Sequence, residues 1–282
     1  MRVPFLKMHG LGNDFVVIDR RAGALAAWPE MTGARAAALA DRRTGIGCDQ
    51  LIVLEPSSVA DVRMRIYNPD GGPNGGEVES CGNATRAVGM LLAGETNAPE
   101  ITIETAGGLL TARTGEAGIA VDMGAPRFDW DLIPLAYAMD TLHMPVGWDD
   151  LADPAAINVG NPHVVFVVPD VDTVNLARLG PLIETDPLFS KRVNVNVLSL
   201  AGPDHLRLRV WERGAGLTHA CGTGACASAV IAIRRKLVSS PVRVSLPGGD
   251  LVIAWAPGGT ITMTGPATLA FEGTFDDVQF PA

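Results

Sequence analysis

No cluster of basic residues occurs anywhere in the chain. Lys and Arg number 22 against 31 Asp and Glu, a formal net charge of −9. Neither a nucleic-acid backbone nor an anionic membrane surface is an expected partner for such a balance. Long apolar runs are also lacking. Ala225–Ile233 is far shorter than the ~18–20 residues that cross a bilayer. The opening stretch MRVPFLKMHGLGNDF has no apolar core followed by a small-residue cleavage site, so no signal peptide is expected. Cysteine is scarce: Cys48, Cys81, Cys221 and Cys226 are too few to staple 282 residues. The C-x₄-C spacing of the last two is not a zinc knuckle. A reduced, cytoplasmic compartment and no metal are the expectations. What remains is an ordinary globular composition, with 47% hydrophobic residues and a length that suits one large domain or two of usual size.

The most informative feature is an internal repeat. GNDFVV at Gly12–Val17 returns as GNPHVV at Gly160–Val165, and RMRIYN at Arg63–Asn68 returns in pattern as RLRVWE at Arg207–Glu212. Cys81-Gly82 returns as Cys221-Gly222, Gly107-Gly108 as Gly248-Gly249, and MGAP at Met123–Pro126 as MTGP at Met263–Pro266. In that order the offsets are 148, 144, 140, 141 and 140. Each match is weak alone; their shared order and near-constant spacing make a duplication.

Short β-branched runs bounded by Gly, Pro or Asn predict strands at Phe15–Asp19, Val62–Tyr67, Ile101–Glu104, Ile119–Met123, His163–Val168, Leu206–Trp211, Val242–Leu246 and Ile261–Thr264. After each repeated Cys-Gly, Ala84–Leu92 and Ala225–Ile233 have no polar stripe and predict helices buried on all sides. Surface helices are expected at Ala34–Asp41 and Val174–Leu182, and a linker in Pro126–Pro154, which holds four prolines. The glycine-rich stretch Asp70–Gly76 predicts an irregular loop leading to Cys81. The expected class is therefore α/β (α+β), with two pseudo-symmetric halves. Each half is a curled, mostly antiparallel sheet around a central helix, with the active site in the cleft between them. The halves are expected at 1–127, with 269–282 packing back on it, and at 128–268.

Cys81 and Cys221 thus fall at two helix starts, where unsatisfied N–H groups and the helix dipole favour an anion. A thiol placed there can drop below its free pKa of ~8.5 and act as a base. Two such thiols facing one carbon suit the inversion of a stereocentre: one removes a proton and the other delivers one to the opposite face. The plain alternative is that each is a small buried hydrophobe, and Cys48 and Cys226 keep that reading.

At the level of motifs the chain resembles the diaminopimelate epimerases. The motifs are KMHGLGNDF (Lys7–Phe15), GCDQL (Gly47–Leu51), ESCGNATR (Glu79–Arg86), GNPH (Gly160–His163), RVNVNV (Arg192–Val197) and ERGAGLTHACGTGACA (Glu212–Ala227). The resemblance implies a cofactor-independent isomerase that interconverts LL- and meso-diaminopimelate in lysine and peptidoglycan-precursor synthesis, working as a homodimer. It implies Cys81 and Cys221 as the acid/base pair, with His163 and Glu212 supporting them. Gly82, Asn83, Gly222 and Thr223 would hold the reacting end of the substrate. Asn13, Asn68, Asn161, Asn194, Glu212 and Arg213 would read its charged groups, and Gln50 would line the same pocket.

Residue chemistry agrees in kind, since Arg suits bidentate carboxylate binding and Asn can donate and accept at once. Asn13 and Asn161 also suit plain turn positions, His163 a satisfied strand position and Arg213 a surface charge. Three features depart from the family pattern: a longer stretch between Asn68 and Cys81, Phe271 in place of a Tyr, and Ala87 in place of a Cys. A proline-racemase-like enzyme would share the cysteine pair but not Arg213 and the several Asn. A phenazine-type isomerase would lack the cysteines, and a non-catalytic amino-acid-binding relative would have no need of them.

Overall fold

The computed structural model describes residues 1–21, 23–69, 76–79 and 81–280. The chain forms two compact units, Met1–Val121 with Gly265–Ala282, and Asp122–Thr264. The divisions fall a few residues earlier than the sequence suggested. Of the expected glycine-rich loop, only Gly76 lies within the described residues.

In the first unit β1 (Arg2–Gly10) and β2 (Asn13–Asp19) are antiparallel and joined by the two-residue turn Leu11-Gly12. Both turn residues have positive φ, 58° and 91°, as the tight turn matching strand twist requires. Helix α1 (Gly33–Ala40) follows, its N-terminus capped by the Thr32 hydroxyl, which accepts from the Arg35 N–H. Next, β3 (Gln50–Glu55) runs parallel to β2, and β4 (Val62–Tyr67) antiparallel to β3. Short β5 (Glu77–Val78) pairs with β4, and α2 (Gly82–Thr96) comes next. Then β6 (Glu100–Thr105) lies parallel to β4, followed by antiparallel β7 (Gly108–Gly115) and β8 (Gly118–Asp122).

The second unit opens with irregular chain and a two-strand ladder, β9 (Gly147–Trp148) with β10 (Leu151–Ala152). The plan of the first unit then repeats. β11 (Ala155–Asn158) is antiparallel to β12 (Pro162–Val167). After α3 (Leu176–Glu184), β13 (Asn194–Gly202) is parallel to β12, and β14 (His205–Glu212) is antiparallel to β13. Short β15 (Gly216–Thr218) pairs with β14, and α4 (Gly222–Arg234) follows. β16 (Val242–Leu246) is parallel to β14, with β17 (Gly249–Ala254) and β18 (Thr262–Gly265) continuing antiparallel. Strand for strand, each pairing has the sense of its counterpart, so the duplication read from the sequence is a duplication of topology. Finally β19 (Thr268–Asp276) returns to the first unit, antiparallel to β1.

Helix α4 packs against β11 through β14 and against β16 and β17, so the sheet curls around it. Its residues from Gly224 to Ala232 are all buried, which is why it carries no polar stripe. α2 packs in the same way against β1, β6 and β7, but its last turn is exposed. The opposite face of each sheet is covered as well. In the first unit α1 supplies Ala36, Leu39 and Ala40 against Val16, Ile18, Leu51 and Val53. In the second, α3 supplies Leu176, Leu179 and Ile183 against Val164, Phe166, Val195 and Val197. Strands covered on both faces read as continuous apolar runs, as in Phe15–Ile18 and Leu51–Leu54.

The segment 126–154 is not a linker. Ile133, Leu135, Met144 and Leu151 are buried in the core of the second unit, beside Phe166 and Phe189. Its apolar residues are spaced irregularly, so neither helix nor strand period shows. Among the described residues the strands number nineteen against the eight expected. Those overlooked include β1, interrupted by Pro4, and β19, whose residues are mostly exposed. Among the described residues no helix is long and apolar enough to cross a membrane.

Candidate active site

Each repeated cysteine is the residue immediately before its buried helix. Cys81 precedes α2 and Cys221 precedes α4, both in extended backbone with φ −148° and −124°. The carbonyl of each accepts the first helical bond, from Thr85 at 2.9 Å and from Ala225 at 3.0 Å. The sulfurs differ. The sulfur of Cys221 caps its own helix, accepting the Gly224 N–H at 3.3 Å, and lies 3.5 Å from the Thr223 hydroxyl. That of Cys81 does not cap α2, and its residue is only partly buried.

Burial decides the proton affinity of Cys221. It is 2% exposed, and loss of solvent pushes its pKa well above the ordinary thiol value. The Glu212 carboxylate pushes the same way, while the Thr223 hydroxyl and the Gly224 N–H oppose. The expected lowering at a helix start is therefore overridden here, because a fully buried thiolate loses more hydration than one N–H and a dipole return.

The first unit holds two amide clusters. Asn83, in the first turn of α2, donates to Asn13 Oδ1 at 3.0 Å, and Asn13 donates to Asp49 Oδ2 at 3.0 Å. Asp49 is held by Arg42 at 2.7 Å and accepts the Asp14 N–H. Asp14 in turn binds Arg42 at 2.6 Å and Lys7 at 2.5 Å. Burial works against the charge of Asp14, but these hydrogen bonds outweigh it and hold the carboxyl at about 2. In the second cluster, Gln50 at the start of β3 donates to Asn68 Oδ1 at 2.9 Å. Asn13 is thus both a strand-end residue and part of a polar chain reaching the helix that carries the thiol.

The second unit gathers its own set. His163 is fully buried in β12, with Nε2 2.8 Å from Asn161 Oδ1 and Nδ1 3.1 Å from Asn196 Nδ2. Burial pushes its pKa down to about 3, the Asn196 hydrogen bond opposing and the Arg213 charge adding to the effect. The imidazole is neutral at physiological pH. Asn194 donates to the Pro162 carbonyl at 2.8 Å and accepts the Arg213 N–H at 2.9 Å. Glu212 accepts from Thr218 at 2.6 Å, and the exposed Arg213 side chain donates to the Lys191 carbonyl at 2.9 Å.

Sequence reasoning missed four contributors. Asp49 and Arg42 brace Asn13, and Asn196 touches His163. Glu184, 5% exposed at the end of α3, accepts from Trp211 Nε1 at 2.7 Å and from the Gly214 N–H at 3.0 Å, fixing the turn that carries Arg213. Asn196 carried a usable signal, because strand alternation puts it on the face of Asn194. Glu184 carried none, since the indole and the turn N–H that it holds lie 27 and 30 residues away.

The family model for diaminopimelate epimerase matches residues 5–128 and 155–270. A diaminopimelate epimerase of Rhizorhabdus wittichii is 63% identical over 282 residues, covering 100% of this chain and 98% of the relative. The chain belongs to the diaminopimelate epimerase family. This is a family of isomerases, and the matched residues include both helix starts described above. A second relative, the diaminopimelate epimerase of Erythrobacter litoralis, is 60% identical over 276 residues, covering 98% of each chain. Among solved structures, the phenazine biosynthesis protein of the PhzF family from Bacillus anthracis shares the fold. Its TM-score is 0.69 at 17% identity, over 98% of this chain and 99% of that one.

Proposed function

We propose that the chain interconverts LL- and meso-diaminopimelate without a cofactor, with Cys81 and Cys221 as its two acid/base groups, one for each face of the α-carbon. The observation that carries this reading is the equivalent placement of the two thiols, each opening the buried helix of its own repeated unit. Inversion needs a base and an acid at once. Cys221, whose burial and Glu212 neighbour keep it protonated, is the acid of the resting chain, and the partly buried Cys81 is the base. In the reverse direction the roles exchange.

Removal of the α-proton leaves negative charge on the adjacent carboxylate. The first-turn N–H groups at Gly82 and Asn83 and at Gly222 and Thr223 are suited to receive it. Asn13, Gln50, Asn68, Asn161, Asn194, Glu212 and Arg213 recognise the two ammonium and two carboxylate groups. Glu212 serves as a counter-charge for an ammonium. The forked guanidinium of Arg213 serves for a carboxylate. His163 supports the site as a neutral ring rather than as a charge.

The product feeds lysine and peptidoglycan-precursor synthesis, which puts the protein in the cytoplasm. It works as a homodimer. Supporting this, β19 turns Leu269 and Phe271 outward, 39% and 52% exposed, as an apolar strip along a strand. Light scattering of the purified chain tests the dimer, and a monomer at micromolar concentration removes it.

The experiment for the activity is incubation with LL-diaminopimelate in D₂O with no added cofactor. Isomer composition and α-deuterium should change together. Cys81→Ala and Cys221→Ala should each lower turnover by at least ~10². Binding without deuterium uptake would make the chain an amino-acid-binding relative instead.

A further inference from the structure

The two units differ at one buried place where their topology is the same. In the first, β2 and β3 run parallel with Phe15 opposite Gln50, and Ile52 lies two residues on. In the second, β12 and β13 run parallel with His163 opposite Asn194, and Asn196 lies two residues on. Phe15, Ile52, His163 and Asn196 are each 0% exposed. An apolar pair therefore completes the fold in one unit, while the other buries an imidazole and an amide at the equivalent place. Burying two polar groups is costly unless they are hydrogen-bonded, so the fold alone does not call for them.

The hydrogen bonds fix which way the amide points. Asn196 Nδ2 lies 3.0 Å from the Val164 carbonyl oxygen and 3.3 Å from that of Asn194. Carbonyl oxygens only accept, so this atom is the nitrogen; it has two hydrogens for three neighbours, so the two carbonyls share one and the other is donated to His163 Nδ1. The amide oxygen lies against Gly224 of α4: a Cβ there would be 2.7 Å from it. That oxygen is buried with no hydrogen-bond partner, a cost kept in exchange for the direction of the NH₂.

With Nδ1 accepting, the single ring proton sits on Nε2 and is donated to Asn161 Oδ1. Asn161 thereby commits its oxygen to the ring and has its own NH₂ left to present. Diaminopimelate offers acceptors only at its carboxylates, because its ammonium groups only donate.

We infer that Asn196 is a positioning residue that locks His163 in the neutral Nε2–H tautomer and, through it, holds Asn161 with its NH₂ aimed at a substrate carboxylate. This deepens the epimerase reading above and rests on it only for the identity of the substrate. The relay Asn196–His163–Asn161 has no counterpart in the Cys81 unit, where the equivalent positions are Phe15 and Ile52.

The test is ¹⁵N-histidine NMR on the full, ligand-free chain, with the His163 signal identified among five histidines by its loss in His163→Gln. The expected result is a neutral ring protonated at Nε2 throughout pH 5.5–8.5. A ring protonated at Nδ1, or an imidazolium at neutral pH, would overturn the inference. Asn196→Asp keeps the shape but presents only acceptors, so Nδ1 should gain a proton. If the ring stays neutral the Asn161 amide turns over. KM for diaminopimelate should then rise at least tenfold, with kcat changed much less. Unchanged KM alongside a switched tautomer also sinks the relay. Should Asn196→Asp not fold, the tautomer of the unaltered chain decides alone. Failure of the two-thiol reading would show instead as active Cys81→Ala or Cys221→Ala, with the tautomer untouched.

Discussion

Gly224 gives its backbone N–H to the sulfur of Cys221 across 3.3 Å. A Cβ on Gly224 would lie 3.2 Å from that sulfur and 2.7 Å from Asn196 Oδ1. The close approach of helix, thiol and amide requires the absence of a side chain. Gly224→Ala should cost about 1–3 kcal/mol of stability by overpacking. It should also reduce α-deuterium incorporation from diaminopimelate about tenfold or more. Gly94, in the exposed end of α2, has nothing within 4 Å of an added Cβ. Gly94→Ala should leave activity unchanged and stabilise by about 0.5–1 kcal/mol. Denaturant melts with paired activity assays check both.

Arg213→Lys keeps the charge but loses the planar fork. It should weaken diaminopimelate use by about 1–3 kcal/mol in kcat/KM. Glu184→Gln leaves Arg213 in place but turns an NH₂ toward one of two donors, Trp211 Nε1 or the Gly214 N–H. Its effect should fall mainly on KM. Steady-state kinetics with unchanged kcat/KM for Arg213→Lys would make that guanidinium a surface charge.

Burial pushes the Cys48 thiol up to about 11, the Val16 backbone hydrogen bond and the Lys7 charge working the other way. The folded chain therefore holds this proton more tightly than the unfolded chain, whose thiol titrates near ~8.5. The resulting stability is complete below about pH 8.5 and lost as pH rises through about 11, amounting to about 3 kcal/mol. Urea denaturation at pH 7.5 and 10.5 should show a smaller drop for Cys48→Ala than for the natural chain. Equal drops would place the alkaline loss elsewhere.

Asp14 gives the opposite limb. Its folded carboxyl titrates at about 2, below the unfolded ~3.9, so its contribution is complete above about pH 4 and lost as pH falls through 2. At pH 7 this amounts to about 2–3 kcal/mol. Asp14→Asn should flatten the acid side of the stability profile, and should loosen Asn13 through Arg42 and Asp49. Denaturation between pH 3 and 7 reads the first effect, and KM for diaminopimelate the second.

Much of this was legible along the chain. The duplication showed as five matched fragments, because equivalent turns and helix starts demand the same Gly, Cys and Pro wherever they occur. The buried helices showed as stretches without a polar stripe, α4 more cleanly than α2, whose final turn meets solvent. Cys81 and Cys221 stood out because position before a helix is a local property.

Only the tertiary structure decided what depends on distant neighbours. The proline-bearing segment 126–154 reads as a linker because its buried residues follow no period, yet Ile133 and Met144 lie in the core. Proton affinity at Cys221 is set by desolvation and by Glu212, not by the helix start that the sequence reveals. The Asn196–His163–Asn161 relay depends on parallel pairing of two strands separated by α3. Local order along a chain fixes which groups are available. Burial and hydrogen-bond direction arise only when strands remote in sequence are laid side by side.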